Sequence, residues 1–212
     1  YQAPGGLSLT TGNDYVDLTM GFGVQLFGHN PPFTLDAISR QVAEQGLFLG
    51  PQAAKAGEVA ARIARLTGNE RVAFCNSGTE AVMTALRLAR NATGRTLVVM
   101  FAGSYHGHFD GTLARTSSGG HAAPLSGGTP LGMVDDVLVL DYADPDGSRA
   151  ALAEVADRLA AVIVEPVQSR RPSLQPLEFL QWLRRFTAES GIALIFDEVL
   201  LGFRVALGGA QA

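Results

Sequence analysis

One short polar turn of the chain combines the residue types that bind a phosphate group. Ser77 followed three positions later by Glu80 forms a capping box, which marks the start of a helix. The short and largely apolar segment 71–74 before it predicts a buried strand, so strand, turn and helix place free backbone N–H groups at one point. Gly78 allows close approach, and the hydroxyl of Thr79 can donate a hydrogen bond. The pattern favours an anion site, although an N-cap without a ligand has the same pattern.

A carboxylate and an aromatic ring follow other apolar segments. Asp197 comes directly after five apolar residues, so its carboxylate is expected at the end of a strand, partly removed from water. Such a carboxylate needs a partner, either an arginine such as Arg204 or the protonated ring nitrogen of a cofactor. Tyr105 can be a buried aromatic residue or can stack on a heteroaromatic ring. Glu165 can have a role in the site or can simply end a strand with Pro166.

These groups together match the needs of pyridoxal phosphate. The cofactor requires a phosphate site, a stacking aromatic residue, a carboxylate for its ring nitrogen, and a lysine that holds its aldehyde as a Schiff base. The chain has a single lysine, Lys55, in a segment that predicts a helix, where a solvated position is expected. The first three requirements are therefore met and the fourth is not.

Other kinds of site fit the sequence less well. His106 and His108 are one residue apart, but no cysteine and no third histidine is near them in the sequence, so no metal site is predicted. Cys75 ends the predicted buried strand, and the chain has no Gly-x-Ser-x-Gly motif, so neither a cysteine nor a serine nucleophile is expected.

The composition is that of a globular protein. Hydrophobic residues make up 47% of the 212 residues and charged residues 17%. The net charge is −4 and the basic residues are scattered, so nucleic acid is not an expected partner. No apolar run is long enough to span a membrane, and no membrane association is expected. The single cysteine cannot form an internal disulfide, which predicts a reducing, cytoplasmic setting.

The periodicity predicts an α/β fold. The chain begins with a predicted hairpin over residues 7–18 and a loop over 21–32, and residues 117–132 predict an irregular excursion. Helices are predicted over 34–45, 53–66, the segment after Ser77, 148–159 and 177–190, and strands over 97–101, 137–140, 161–164 and 192–196. This alternation predicts right-handed βαβ units, a mostly parallel sheet, and a ligand site beyond the carboxyl ends of the strands.

The same residues resemble a known family over essentially the whole chain. The motifs are Asn76–Ala81, Tyr105–Gly107, Val164–Pro166, Asp197–Val199 and Gly202–Arg204. They resemble the class III aminotransferases of pyridoxal-phosphate fold type I, in the glutamate-1-semialdehyde aminomutase branch. Within that branch, residues 22–33 and 167–172 resemble the aminotransferase domains of hybrid polyketide–nonribosomal peptide assembly lines.

The resemblance implies a role for each candidate site residue. The implied cofactor-binding residues are Ser77, Gly78 and Thr79 on the phosphate, Tyr105 and Val199 on the two ring faces, Asp197 on the ring nitrogen, and His106. The implied substrate-side residues are Glu165 and Gln168, with Phe22 at the substrate entrance. Residues 1–50 would contribute to the small domain and the entrance, and residues 51–212 would form an incomplete large domain.

The implied activity is transamination from an amino acid donor to a carbonyl, here a β-ketoacyl thioester on a carrier protein, in a homodimer. An aminomutase acting on a small free substrate is the alternative, although Gly21 and Phe22 stand where the aminomutases have serine and tryptophan. In the family the lysine lies beyond the motif that holds Asp197, so the chain is expected to be an inactive N-terminal fragment. A non-catalytic scaffold or dimerisation segment of a large synthase is a third possibility, which a lysine encoded downstream would exclude.

Overall fold

The computed structural model describes residues 6–8, 14–47, 50, 52–117 and 122–212. They belong to two compact units, residues 1–65 and 66–212. Among the described residues, no helix is both long enough and apolar enough to cross a bilayer.

The first unit consists of a small strand pair and two helices. Strands β1 (Gly6–Ser8) and β2 (Asp14–Val16) pair in antiparallel fashion, as the predicted hairpin requires, and its turn lies outside the described residues. Turns occupy most of the predicted loop, and α1 (Pro32–Gln45) and α2 (Ala56–Thr67) follow. Neither helix has a buried residue, so both leave their apolar side chains in contact with solvent.

The second unit is built on a four-stranded parallel sheet. In chain order its elements are α3 (Gly78–Thr93), β3 (Leu97–Phe101), a hairpin of β4 (Ala114–Thr116) and β5 (Ala122–Pro124), β6 (Val137–Leu140), α4 (Pro145–Glu154), β7 (Leu159–Val164), α5 (Leu177–Glu189) and β8 (Ala193–Phe196). The sheet order is β6-β3-β7-β8, and every pair is parallel. The predicted α/β fold with a parallel sheet is confirmed.

Helices cover both faces of this sheet. All six residues of β7 are buried, and the side chains of residues 161–164 alternate between two apolar clusters. One cluster includes Val82 and Leu86 of α3, and the other includes Leu152 of α4 and Phe179 of α5. The parallel arrangement brings the carboxyl ends of β3, β6, β7 and β8 to the same edge of the sheet, where Tyr105, Glu165 and Asp197 follow β3, β7 and β8.

The prediction for residues 71–74 is wrong. This segment has no regular structure, and Phe74 is 45% exposed. The segment has no neighbouring strand to pair with among the described residues, and an apolar run without such a neighbour does not form a strand. Cys75 is consequently an exposed free thiol instead of the end of a buried strand.

Two further predictions need smaller corrections. Helix α4 starts three residues before the predicted 148 and ends five before 159, because Asp144 caps it by accepting from the Gly147 N–H at 3.0 Å. The irregular excursion contains the ordered strand β5, although residues 118–121 lie outside the described residues. The assignment of residues 1–50 to a small domain and 51–212 to a large one remains a prediction.

Candidate active site

Ser77 caps the N-terminus of α3 as the sequence predicts, while Glu80 bonds one residue before the N-cap. Ser77 Oγ accepts a hydrogen bond from the Glu80 N–H at 3.2 Å, and Glu80 Oε2 accepts from the Asn76 N–H at 2.7 Å. Because Ser77 Oγ acts as an acceptor in this bond, its own proton remains available to donate to a ligand. The first turn of α3 therefore presents a hydroxyl and backbone N–H groups together.

The Tyr105 loop, residues 102–108 after β3, rests on this turn. Gly107 has a φ of +86°, and a Cβ built on it would lie 2.9 Å from the Cα of Thr79. The His108 N–H donates to Thr79 Oγ1 at 3.0 Å, so this hydroxyl also keeps its proton for donation. Only glycine permits such close approach at residue 107.

Asp197 pairs with His106 at the end of β8. Its Oδ2 accepts from Nδ1 of His106 at 2.7 Å, and the side chains are 7% and 0% exposed, respectively. The pairing partner is thus His106 and not Arg204, whose Nη1 donates to the Gly202 carbonyl at 3.0 Å. Within the described residues, the buried Nε2 of His106 has no hydrogen-bond partner, so this ring can accept a further bond.

Glu165 ties the end of β7 to the Tyr105 loop. This carboxylate is 5% exposed and its Oε2 accepts from the Tyr105 N–H at 3.2 Å. The neighbouring Pro166 carbonyl accepts from the hydroxyl of Tyr142 at 3.0 Å. Burial, followed by the negative charge of Glu165, raises the pKa of Tyr142 above its ordinary range, which keeps the hydroxyl protonated as a donor.

Gln168 is fully buried. Its Nε2 donates to the Ala102 carbonyl and to Ser104 Oγ, each at 2.9 Å, and its Oε1 accepts from Nε of Arg171 at 3.1 Å. These contacts do not test the predicted role of Gln168 on the substrate side, which stays a prediction.

Two apolar side chains present free surface at the same edge of the sheet. Tyr105 is 43% exposed and packs edge-on against the ring of His108 with centroids 5.8 Å apart, so it is not a buried core aromatic. Val199 is 58% exposed, and its Cγ2 would lie 3.2 Å from a Cβ built on Gly78. The lack of a Cβ at residue 78 therefore lets Val199 approach the N-terminus of α3.

The remaining predicted site residue lies in the first unit. Phe22 is 79% exposed and has a φ of +57°, next to Gly21 with a φ of +60°. Its predicted place at the substrate entrance stays a prediction. Among the described residues, no three His, Cys, Asp or Glu side chains are placed to share a metal ion.

Sequence reasoning missed three contributors to this site. Each is a contact between residues far apart in the chain. The contacts are the close approach of Gly107 to Thr79, the bond from Arg171 to the Ala102 carbonyl, and the bond from the Tyr142 hydroxyl to the Pro166 carbonyl. A weak signal existed for Gly107 and Tyr142, since each lies just beyond an apolar strand where a parallel sheet collects its functional residues. Arg171 gave no signal in the sequence.

The arrangement is that of an α/β protein with a ligand site at the carboxyl ends of its parallel strands. Three separate motifs meet there: the first turn of α3 touches Gly107 and Val199, and Asp197 touches His106. Hydroxyl and backbone donors at a helix start, two exposed apolar faces, and a paired carboxylate fit a phosphorylated aromatic ring.

The sequence matches the aminotransferase class-III family over residues 5–210, and the chain belongs to this family. It is 44% identical over 209 residues to glutamate-1-semialdehyde 2,1-aminomutase of Deinococcus radiodurans, covering 94% of this chain and 47% of that protein.

Solved structures have the same fold. An omega-transaminase from Sphaerobacter thermophilus is 34% identical with a TM-score of 0.88, covering 99% of this chain and 50% of that one. A transaminase with PLP bound is 33% identical with a TM-score of 0.86, covering 98% of this chain and 49% of that one. The predicted cofactor, pyridoxal phosphate, is thus confirmed, since a related structure has it bound. The chain spans about half the length of the relatives it matches.

Proposed function

We propose that this chain supplies the phosphate-binding and ring-binding residues of a pyridoxal-phosphate-dependent transaminase. The observation that carries the proposal is the meeting of three motifs at one edge of the sheet. Asp197 bonds to His106 at 2.7 Å, and two residues further along, the His108 N–H bonds to Thr79 Oγ1 at 3.0 Å. When bound, pyridoxal phosphate supplies an aldehyde that takes up amino groups and a ring that withdraws electrons.

The first turn of α3 would hold the phosphate. Ser77 and Thr79 each use their hydroxyl oxygen as an acceptor within the protein and keep a proton to donate. The N-terminal end of the 16-residue helix α3 adds favourable interaction with a negative charge. Gly78 leaves room for both the phosphate and Val199.

Tyr105 and Val199 would cover the two faces of the ring. Both side chains expose apolar surface, 43% and 58% of each residue, that a flat aromatic ligand can cover. Tyr105 reaches the ligand from the loop after β3, and Val199 from the turn after β8.

Asp197 would accept a hydrogen bond from the protonated ring nitrogen, and His106 would orient the Asp197 carboxylate. The Nδ1 bond from His106 and the Val199 N–H, which donates to Oδ1 at 3.2 Å, fix both oxygens of the carboxylate. A carboxylate with so little contact with water stabilises a cation next to it strongly. The electron-withdrawing form of the ring is therefore favoured at this site.

We further propose that the 212 residues alone do not turn over substrate. The only lysine, Lys55, is exposed and lies one residue before α2 in the first unit. The lysine that takes part in the chemistry would come from elsewhere in the full-length protein, as would part of the substrate site.

The proposed amino group acceptor is a β-ketoacyl thioester on a carrier protein, with a free amino acid as donor. The support is the resemblance of residues 22–33 and 167–172 to assembly-line aminotransferase domains, and the 79% exposure of Phe22, which is available to contact an acyl chain. A homodimer is proposed on the resemblance to the class III aminotransferases of fold type I.

An aminomutase acting on free glutamate-1-semialdehyde is the second candidate. It is favoured by the 44% identity to the Deinococcus radiodurans enzyme of that name. The two candidates are separated by supplying the full-length protein with either a carrier-bound β-ketoacyl thioester and an amino acid, or free glutamate-1-semialdehyde. Only one of the two is expected to be converted.

Cofactor binding is tested by equilibrium dialysis of the full-length protein against pyridoxal phosphate. Thr79→Val is expected to weaken binding about ten- to a hundredfold, because a hydrogen bond to a charged phosphate is lost. Ser173→Ala removes an exposed hydroxyl elsewhere and should bind like the wild type. Wild-type protein that retains no pyridoxal phosphate would contradict the proposal.

A further inference from the structure

The amide of Gln168 has no hydrogen left for a substrate. Both N–H groups of an amide can donate, and Nε2 of Gln168 lies 2.9 Å from the Ala102 carbonyl and 2.9 Å from Ser104 Oγ. Its Oε1 accepts from Nε of Arg171, and the residue is 0% exposed. Gln168 is thus directed into the protein, toward the start of the Tyr105 loop.

Arg171 acts on the same turn. Its Nη2 donates to the Ala102 carbonyl at 3.1 Å while its Nε bonds to Gln168. Both side chains lie close to Gly103, since a Cβ built on it would be in van der Waals contact with Nη2 of Arg171 at 3.4 Å and with Oε1 of Gln168 at 3.5 Å. The two side chains therefore pack directly against the backbone of residues 102–104.

The Tyr105 loop is held on both sides of Tyr105 itself. Gln168 and Arg171 fix the backbone before it, Glu165 accepts from its own N–H, and Thr79 fixes His108 after it. Tyr105 is 43% exposed, and its ring packs edge-on against His108 of the same loop. Its position consequently depends on the backbone that carries it.

We propose that Gln168 and Arg171 are positioning residues that set the height of the Tyr105 ring over the cofactor. The proposal rests on the proposed pyridoxal phosphate site and assigns Gln168 to the loop instead of to the substrate. The residue before Arg171 offers a natural contrast: Arg170 is exposed and carries the same charge, and within the described residues no hydrogen bond joins it to the Tyr105 loop.

Hydrogen exchange of the full-length protein without cofactor tests the first half of the proposal. Gln168→Glu keeps the side-chain size but removes both N–H donors, and Arg171→Gln removes the bond to Ala102. Each is expected to speed amide exchange at Ser104 and Tyr105, whereas Arg170→Gln should leave it unchanged. Exchange in Gln168→Glu equal to that of the wild type would overturn the proposal.

A double-mutant cycle tests whether the effect on the cofactor passes through Tyr105. Gln168→Glu is expected to weaken pyridoxal phosphate binding between about two- and tenfold, the range that ring stacking contributes. In a Tyr105→Ala background the same change should alter the Kd less than about twofold, since the coupled ring is gone.

The outcomes separate the two proposals. An undiminished effect of Gln168→Glu in the Tyr105→Ala background would show that Gln168 acts without Tyr105, which overturns the positioning role alone. Arg171→Lys, which keeps one donor, should restore part of the affinity lost in Arg171→Gln. Wild-type protein that binds no pyridoxal phosphate overturns the proposed function, and the positioning role with it.

Discussion

Gly107 is the residue at which the Tyr105 loop and α3 come closest. Its φ of +86° lies in the left-handed region, and its Cα carries no side chain that would meet Thr79. A second glycine, Gly94 at the end of α3, has a similar φ of +68° but open space around it. Comparing substitutions at these two glycines therefore separates the effect of a strained backbone from the effect of a steric contact.

Gly107→Ala is expected to lower both stability and cofactor affinity. The strained backbone costs about 1–3 kcal/mol of unfolding free energy, and the added methyl group displaces Thr79 from the proposed phosphate site. Gly94→Ala carries the backbone strain without that contact, so it should lower stability and leave pyridoxal phosphate affinity unchanged. Denaturant unfolding and equilibrium dialysis measure the two effects, and equal affinity losses in both variants would contradict the interpretation.

The strand ends are cross-linked by buried hydrogen bonds. Tyr142 after β6 donates to the Pro166 carbonyl after β7, and Asp197 after β8 donates its N–H to the Val164 carbonyl of β7 at 2.8 Å. His106 of the Tyr105 loop completes the set by bonding to Asp197. These contacts explain why residues from four strands keep fixed positions at one edge of the sheet.

Tyr142→Phe is expected to lower the unfolding free energy by about 1–3 kcal/mol. The change keeps the ring in the core but leaves the buried Pro166 carbonyl without its donor. Ser173→Ala, at an exposed position, should change stability by less than about 0.5 kcal/mol. Chemical denaturation of both variants makes the comparison, and equal stability would mean that the carbonyl finds another donor.

Hydrogen bonds to Asp17, in the turn after β2, predict that the stability of the first unit depends on pH. The Met20 N–H donates to Asp17 Oδ1 at 2.9 Å, and His29 Nε2 lies 2.9 Å from Oδ2. The bond from Met20, with smaller contributions from His29 and Thr19, lowers the pKa of Asp17 below its usual 3.8.

Because the pKa of Asp17 is lowered in the folded state, the ionised carboxylate stabilises the fold. The stabilisation is fully present above pH 3.8 and is lost as the pH falls through the lower folded-state pKa. Carboxyl-carbon NMR titration should place the midpoint of Asp17 below 3.8, and Asp17→Asn should remove this part of the acid dependence. A midpoint at or above 3.8 would contradict the hydrogen-bonding pattern.

The sequence predicted those elements whose formation is determined by residues close together in the chain. Residues 97–101 form a strand as expected, because a parallel strand covered on both faces has a continuous apolar run. Residues 71–74 have a similar run but no neighbouring strand among the described residues, and pairing is a property that the segment itself does not encode. The cap of α3 was predictable because the two hydrogen bonds there span no more than four residues.

The contacts within the site were less predictable than its location. Strand alternation placed Tyr105 and Asp197 at one edge of the sheet in advance, whereas Thr79 was placed there through a strand at 71–74 that does not form. The bond from His106 to Asp197 was not predicted, since the two residues are 91 apart and the sequence suggested only Arg204, seven residues away, or a cofactor nitrogen as the partner. Side-chain pairing over such distances depends on the register of the strands, which composition and periodicity leave open.

At the scale of the whole molecule, helix α1 exposes a row of large apolar side chains. On α1, Leu35, Ile38 and Val42 recur at helical spacing and are 47%, 56% and 46% exposed. By contrast, Leu183 of α5 is 0% exposed. An apolar stripe in contact with water favours association with another surface.

Replacing Leu35, Ile38 and Val42 with alanine is therefore expected to reduce self-association of the 212-residue chain. Sedimentation velocity should show a smaller associated fraction, and binding of the dye ANS should fall. The unfolding free energy should change by no more than about 0.5 kcal/mol per site, because the side chains are already half exposed. Leu183→Ala, in the buried core, should instead cost about 2–5 kcal/mol. A comparable loss in the α1 variant would mean that this stripe is buried in solution, and unchanged sedimentation would mean that another surface drives the association.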